Sequence, residues 1–344
     1  MAVLLRSVFL TVVLLQSILD IYNSANSDFQ AGRWADAASK YEQVLKEDAK
    51  NIPSQFNLAV CDTKLGKSAE AIAAYTKLLD QDATIYEAHF NLALLFEQTG
   101  KRPEAGEHYE KAFALRPGDI QAELNLAMYY MRGNDVTKAY PHLTAVAEKG
   151  LSSTDLFIAL SEAEHSRNNE PKSREYLRKA IALDPTNIDF RRQLAASYFD
   201  ERDYTNAIPE LEAVVKAAPQ DTDFLYMLGK SYEALKQYPK ALPVLQQVIR
   251  IKPDAAEAYA TLGAIFYAQE DWPRATQALA RVTQLKPREA IGYFVLATCL
   301  DKLGNEKEAL VQYNKFLELD DGSNDARSFQ ARERARTLDR RLKR

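Results

Sequence analysis

The sequence predicts an all-α solenoid of antiparallel helix pairs, and three observations carry that prediction. A frame of 34 residues runs from Ile18 to Ser323 without insertion or deletion. Small side chains recur in two fixed columns of the frame. Glycine, at 12 in 344 residues, is too scarce for the many tight turns of an all-β or doubly wound fold.

The repeats start at residues 18, 52, 86, 120, 154, 188, 222, 256 and 290. At the eighth position stand Ala25, Ala59, Ala93, Ala127, Ser161, Ala195, Gly229, Gly263 and Ala297. At the twentieth stand Ala37, Ala71, Ala105, Ala139, Ser173, Ala207, Ala241, Ala275 and Ala309. Two helices approach to about 8–10 Å only where no large side chain intervenes, so these columns mark the crossing of a first and a second helix. Around them lie the large apolar residues, Leu58 to Leu296 at the seventh position and Tyr41, Tyr75, Tyr109, Leu143, Leu177, Leu211, Leu245, Leu279 and Tyr313 at the twenty-fourth. Positions 4, 7, 8 and 11 make one helical stripe; 20, 24, 27 and 28 make a second.

Between the stripes, Gly32, Gly66, Gly100, Asn134, Asn168 and Gly304 occupy the place where the first helix ends in a left-handed residue. Pro103, Pro171, Pro239 and Pro273 open the second helix, where a missing N–H costs nothing. Pro117, Pro185, Pro219, Pro253 and Pro287 close it, because the residue before proline avoids the helical region. Pro141, Pro209 and Pro243 lie deeper in the second helix and predict a slight distortion there.

A 34-residue helix-turn-helix unit with Gly or Ala at position 8, Ala at 20 and Pro at 32 resembles the tetratricopeptide repeat over residues 18–323. The resemblance implies a right-handed superhelix whose inner wall is lined by the first helices. It also implies a non-catalytic role in holding other proteins. Repeat five departs from the pattern at Ser161, Glu164 and Ser173, which predicts weaker packing and a flexible joint. Repeat one is irregular at Ser24 and Asp28. Residues 324–344 leave the frame but carry Ala331, Ala335, Leu338 and Leu342 at helical spacing, as expected of a capping helix with an arginine-rich outer face.

Overall charge excludes a broad nucleic-acid footprint, since 44 Lys+Arg stand against 48 Asp+Glu. From Asp325 onward eight basic residues face three acidic ones. Solenoid capping accounts for that tail; contact with an acidic lipid surface or polyanion is the alternative. Residues 1–25 have the outline of an export signal, with Arg6 followed by an uncharged run from Ser7 to Leu19. No clean cleavage site follows, so an uncleaved membrane anchor or a buried first helix stays open. The expectation is an exported protein, periplasmic or secreted, or one anchored through this segment.

In the resembled family, positions 2, 5, 6, 9, 12 and 13 point into the groove. The sixth reads Asn23, Asn57, Asn91 and Asn125 and then loses asparagine at Ala159, Gln193, Met227, Thr261 and Val295. A ladder of amides can donate to and accept from the main chain of an extended peptide, although such asparagines also occur without a ligand. Beside Asn57, Asn91 and Asn125 lie Phe56, Phe90 and Leu124 at the fifth position, Val60, Leu94 and Met128 at the ninth, and Met131 at the twelfth. Together they form a candidate peptide-binding groove. No repeat pairs Lys at position 5 with Asn at position 9, which argues against the family's clamp for a peptide carboxylate. Glu87, Asp155, Asp189, Asp223 and Glu257 at the second position read as first-turn acids favouring the helix dipole, with a basic partner as the alternative.

No phosphate-binding glycine loop, His-Glu-x-x-His or Cys-x-x-Cys motif occurs, and no cofactor is called for. His108 and His142 share a repeat position without an evident carboxylate partner. Cys61 and Cys299 share another, seven repeats apart, too far to pair. The reading is a protein-interaction scaffold; its alternative is a membrane-anchored accessory subunit of an envelope, secretion or enzyme assembly.

Overall fold

The computed structural model describes residues 2–321 and 325–343, with residues 2–15 and 325 by backbone alone. Among them are 19 helices and no strand. The side chains of the apolar run through Leu15, and the frame's end at Ser323 and Asn324, lie outside the described residues. The chain divides into two compact units, Met1–Asn169 and Glu170–Arg344. The division falls inside repeat five.

Unit 1 contains α1 (Ala2–Gln30), α2 (Trp34–Glu47), α3 (Ile52–Lys64), α4 (Ser68–Gln81), α5 (Tyr86–Gln98), α6 (Arg102–Leu115), α7 (Ile120–Arg132), α8 (Val136–Glu148) and α9 (Thr154–Ser166). Unit 2 contains α10 (Glu170–Leu183), α11 (Ile188–Asp200), α12 (Tyr204–Ala217), α13 (Thr222–Ala234), α14 (Tyr238–Ile251), α15 (Ala256–Ala268), α16 (Trp272–Leu285), α17 (Ala290–Lys302), α18 (Glu306–Leu319) and α19 (Asp325–Leu342). Within each unit every helix packs on the next, and alternate first helices such as α7 and α9, or α13 and α15, also touch.

All nine hairpin turns share one geometry. The residue at position 15 has positive φ in every repeat, from Gly32 at 72° to Gly304 at 78°. The following amide then donates to the carbonyl five residues back, as in Lys67 to Asp62 at 2.9 Å and Gln237 to Tyr232 at 2.8 Å. That bond satisfies a carbonyl the helix end would otherwise orphan. Sequence marked six of these turns by Gly or Asn. It did not mark Arg202, Lys236 and Glu270, whose φ values are 61°, 57° and 58°. In α8, α12 and α16 the second helix is then capped by Asp135, Asp203 and Asp271, each accepting from the amide three residues on.

The small columns sit where the helices cross. A Cβ on Gly229 would lie 2.7 Å from Cγ of Leu245, and one on Gly263 would lie 2.9 Å from Cγ of Leu279. Positions 8 and 24 of a repeat therefore touch, and glycine leaves room for a leucine seated directly over the backbone. Pro141, Pro209 and Pro243 stay inside continuous helices.

α19 closes the last repeat. Ala331, Ala335 and Leu338 are buried, whereas Leu342 at the helix end is exposed. Arg334 forks onto Asp301 of α17 at 2.5 and 2.7 Å, and Arg341 reaches Glu306 of α18 at 2.8 Å. Two of the tail's arginines thus fasten the cap, while Arg332, Arg336 and Arg340 face outward.

Candidate functional site

The candidate groove residues lie on consecutive first helices of unit 1: Phe56, Asn57 and Val60 on α3, Phe90, Asn91 and Leu94 on α5, and Leu124, Asn125, Met128 and Met131 on α7. Leu94 is exposed and the others are half-buried, so this row stays partly in contact with solvent although most of its members are apolar. Phe56 sets its edge against Tyr75 with ring centroids 5.8 Å apart. Phe90 does the same against Tyr109 at 6.2 Å and stacks on Tyr86. Each phenylalanine is thereby held from below by the tyrosine at position 24 of its own repeat.

The asparagines have a second employment that the ladder reading did not foresee. Asn57 donates to the Tyr41 hydroxyl at 3.0 Å and Asn91 to the Tyr75 hydroxyl at 2.9 Å. The sixth-position amide thus satisfies the twenty-fourth-position phenol of the preceding repeat, which is otherwise fully buried. Burial pushes the Tyr41 and Tyr75 phenols up to about 12, so they stay neutral hydrogen-bonding groups. The signal was present in the sequence as a covariation. Asn57, Asn91 and Asn125 follow Tyr41, Tyr75 and Tyr109, whereas Ala159, Gln193, Met227, Thr261 and Val295 follow leucines.

Asn125 breaks the scheme. Tyr109 donates instead to Glu97 at 3.0 Å, and Arg132 forks onto the same carboxylate at 2.7 and 2.8 Å. The Asn125 carbonyl accepts from Gln121 at 3.2 Å, while its Nδ2 is buried with no partner. Of the three amide nitrogens, this one makes no hydrogen bond.

Profiles described as tetratricopeptide repeat match residues 28–88 and 198–265, and a second of the same description matches 64–120, 124–188 and 261–324. The chain belongs to the tetratricopeptide repeat family. Among solved structures, this tetratricopeptide repeat chain is similar to the C-terminal part of a TPR repeat-containing protein from Cytophaga hutchinsonii. There the identity is 18% and the TM-score 0.51, with 70% of this chain and 99% of that one covered. It is also similar to YrrB, described as a TPR protein with an unusual peptide-binding site, at 23% identity and TM-score 0.47, covering 54% of this chain and 95% of that one. MamA matches at 21% identity and TM-score 0.46, covering 50% and 93%. At these identities the likeness is one of fold. No curated protein of matching sequence was found.

Family membership supports a protein-interaction scaffold, and the remaining polar groups fit that reading. Three of the second-position acids are paired within their own repeats, Asp189 loosely with Arg192 at 3.9 Å. Glu87 pairs with Arg116, whose guanidinium also lies 4.0 Å over the Tyr86 ring, and Glu257 pairs with Lys286 at 2.8 Å.

The hydrogen-bond partner of His108 is His89. Its Nδ1 meets Nδ1 of His89 at 2.9 Å, and His89 Nε2 lies 3.2 Å from the Ala83 carbonyl. The carbonyl fixes the proton on Nε2 of neutral His89, so His108 donates across the pair. Burial, with His89 adding to it, holds the His108 imidazole at about 4. His142 occupies the equivalent slot one repeat on and faces Glu123 at 3.3 Å, a carboxylate partner that sequence spacing alone did not reveal. Cys61 and Cys299 are buried thiols pushed up to about 11, unsuited to nucleophilic work. Among the described residues no group of three or more metal-ligating side chains converges.

Proposed function

We propose that this chain is a non-catalytic scaffold whose α3–α5–α7 face in unit 1 binds an extended segment of a partner protein. The observation that carries the proposal is the half-buried apolar row ending at Asn125, whose Nδ2 lacks a partner. Leu94, Met128 and Met131 supply apolar contact, and methionine adapts to varied side chains. A turn of the Asn125 side chain would bring its buried, unpartnered amide N–H to a peptide carbonyl. Asn57 and Asn91 keep their amide oxygens for a peptide N–H while their nitrogens hold the repeats together.

Display selection of peptides against the full chain, followed by fluorescence titration, tests this reading. Leu94→Asp with Met128→Asp should abolish binding, and Asn125→Ala should weaken it by about 1 kcal/mol, roughly five-fold. Selected peptides indifferent to both variants would place the site elsewhere.

A second proposal concerns the N-terminus. The α1 backbone runs as one helix from Ala2 to Gln30. That continuity supports an apolar segment retained as an anchor in front of the first hairpin and feeding an accessory role in an envelope, secretion or enzyme assembly. No helix among the described residues is long and apolar enough to cross a membrane. N-terminal sequencing of mature protein decides: a start beyond residue 20 or so would sink retention.

A further inference from the structure

In repeats three, four, six and seven the second-helix side of this fold is closed by one or both of two bridges. The first joins position 4 to position 23 of the same repeat: His89 to His108 at 2.9 Å, Glu123 to His142 at 3.3 Å, and Arg191 to Glu210 at 2.7 Å. The second joins position 11 to position 25 of the preceding repeat. Tyr130 donates to Glu110 at 2.6 Å, Tyr232 donates to Glu212, and Arg178 donates to Tyr198.

Repeat eight, like repeats two and nine, lacks both. At positions 4 and 23 it has Tyr259 and Ala278; at position 11 it has Phe266, facing Gln246 of the repeat before. A groove of about 560 Å³ opens there within unit 2, between α14 and α16, and those four residues line it. Its span along α16 from Arg274 to Gln284 is about 15 Å at 1.5 Å per residue.

The lining has a definite chemistry. Leu262, Phe266 and Ile249 give an apolar floor, and none of the lining residues is acidic, although the chain carries more acids than bases. Arg274 lies with its guanidinium 4.6 Å over the Phe266 ring and is paired with Asp271 at 2.6 Å. Arg281 has no carboxylate partner among the described residues and donates only to Gln284, at 3.0 Å. Among the described residues the Tyr259 hydroxyl has no hydrogen-bond partner, unlike the bridged groups at the same position in repeats three, four and six.

We propose that this groove is a second docking site, separate from the α3–α5–α7 face, for an acidic segment of a partner protein that inserts one bulky apolar side chain. The apolar side chain would fill the space over Phe266 and Leu262 left by Ala278. The flanking carboxylates would meet Arg281 and the Tyr259 hydroxyl, and a fork of two parallel N–H donors suits a carboxylate better than a neutral group. The size lies within the range of about 300–1,000 Å³ that single ligands or anchor side chains occupy.

The molecule supplies its own test, because the missing bridge can be rebuilt. Phe266→Tyr with Gln246→Glu copies the Tyr232–Glu212 pair and should shut the groove without unfolding the repeat. The probe is an array of short peptides, each with one phenylalanine, tryptophan or leucine flanked by aspartate and glutamate, matched by an array with lysine in place of every acid. Full-length protein should bind the acidic array and not the lysine array. The rebuilt bridge and, independently, Arg281→Gln should each weaken binding at least ten-fold, with thermal melts unchanged. Leu94→Asp with Met128→Asp, which addresses the unit 1 face, should leave this binding intact. Equal binding to both arrays, no binding to the acidic one, or full affinity in the rebuilt-bridge variant would overturn the proposal.

Discussion

Units 1 and 2 build the same hairpin from different materials. In unit 1 the turns after α3 and α5 use Gly66 and Gly100, and Tyr41 and Tyr75 at position 24 are tied to Asn57 and Asn91 of the next repeat. In unit 2 the corresponding turns use Arg202, Lys236 and Glu270, and position 24 carries Leu211, Leu245 and Leu279 under Gly or Ala at position 8. The comparison shows which constraints the fold enforces. Positive φ at position 15 and close approach at position 8 recur everywhere, while the chemistry that fills the space between helices is free to vary. Unit 1 uses that freedom for polar contacts next to an apolar row, and unit 2 for apolar packing that leaves one groove open.

The largest effect should come from filling the close approach. Gly229→Val places a branched side chain where even one Cβ would lie 2.7 Å from Leu245. Overpacking of this kind costs about 1–3 kcal/mol, and a β-branched residue sits at the upper end. A fall in the urea midpoint is expected, and Leu245→Ala in the same chain should restore part of it. An unchanged midpoint would show that α13 and α14 separate freely, and the claim that position 8 fixes the hairpin would go with it.

The next effect distinguishes the units by pH. His89 and His108 are held neutral by burial, each below its ordinary value, and the residues facing the pair include Lys111, Glu107 and the Ala83 carbonyl. The unfolded chain protonates these imidazoles near 6.5 and the folded one takes up protons only at lower pH. Their contribution is therefore complete above about pH 6.5 and is lost as pH falls toward about 4. Because the His108 ring is only half-buried, the loss is on the order of 2 kcal/mol. Glu123 has the depressed carboxylate pattern and gives up its stabilisation only in the more acidic range. Denaturation followed between pH 7 and pH 5 should show a slope that His108→Leu flattens. A slope that survives this change would assign the titration to other groups.

How far the sequence could be read follows from what each feature depends on. Helices, turns and crossings rest on side chains at fixed separations within one repeat, and Ala71, Gly66 or Leu92 announce themselves. The candidate groove was legible as a face, since α3, α5 and α7 bring Phe56, Phe90 and Leu124 to equivalent places. The second duty of Asn57 and Asn91 was hidden because it joins position 6 to position 24 of another repeat, a pairing visible only when two columns are compared. His89 was overlooked for a similar reason: its partner lies 19 residues away, across the hairpin. The groove at Phe266 is harder still, because it depends on how Tyr259, Phe266, Ala278 and Gln246, from three helices, leave space between them.

The smallest effect tests the turns. Arg202, Lys236 and Glu270 hold the left-handed conformation that glycine adopts without steric cost, and each non-glycine residue there costs roughly 1 kcal/mol. Glycine gives back part of that gain through the entropy of the unfolded chain. Replacing each by Gly should therefore stabilise unit 2 by a few tenths to about 1 kcal/mol, and the three together should add, since they lie in separate repeats. The reverse change, Gly66→Lys in unit 1, should cost a similar amount, because a Cβ there meets nothing within 4 Å and only the backbone conformation resists it. If the substitutions in unit 2 lower the urea midpoint instead, the long side chains at those turns contribute more than the backbone strain removes. The two units would then differ in what holds their turns, and not merely in which residue was tolerated there.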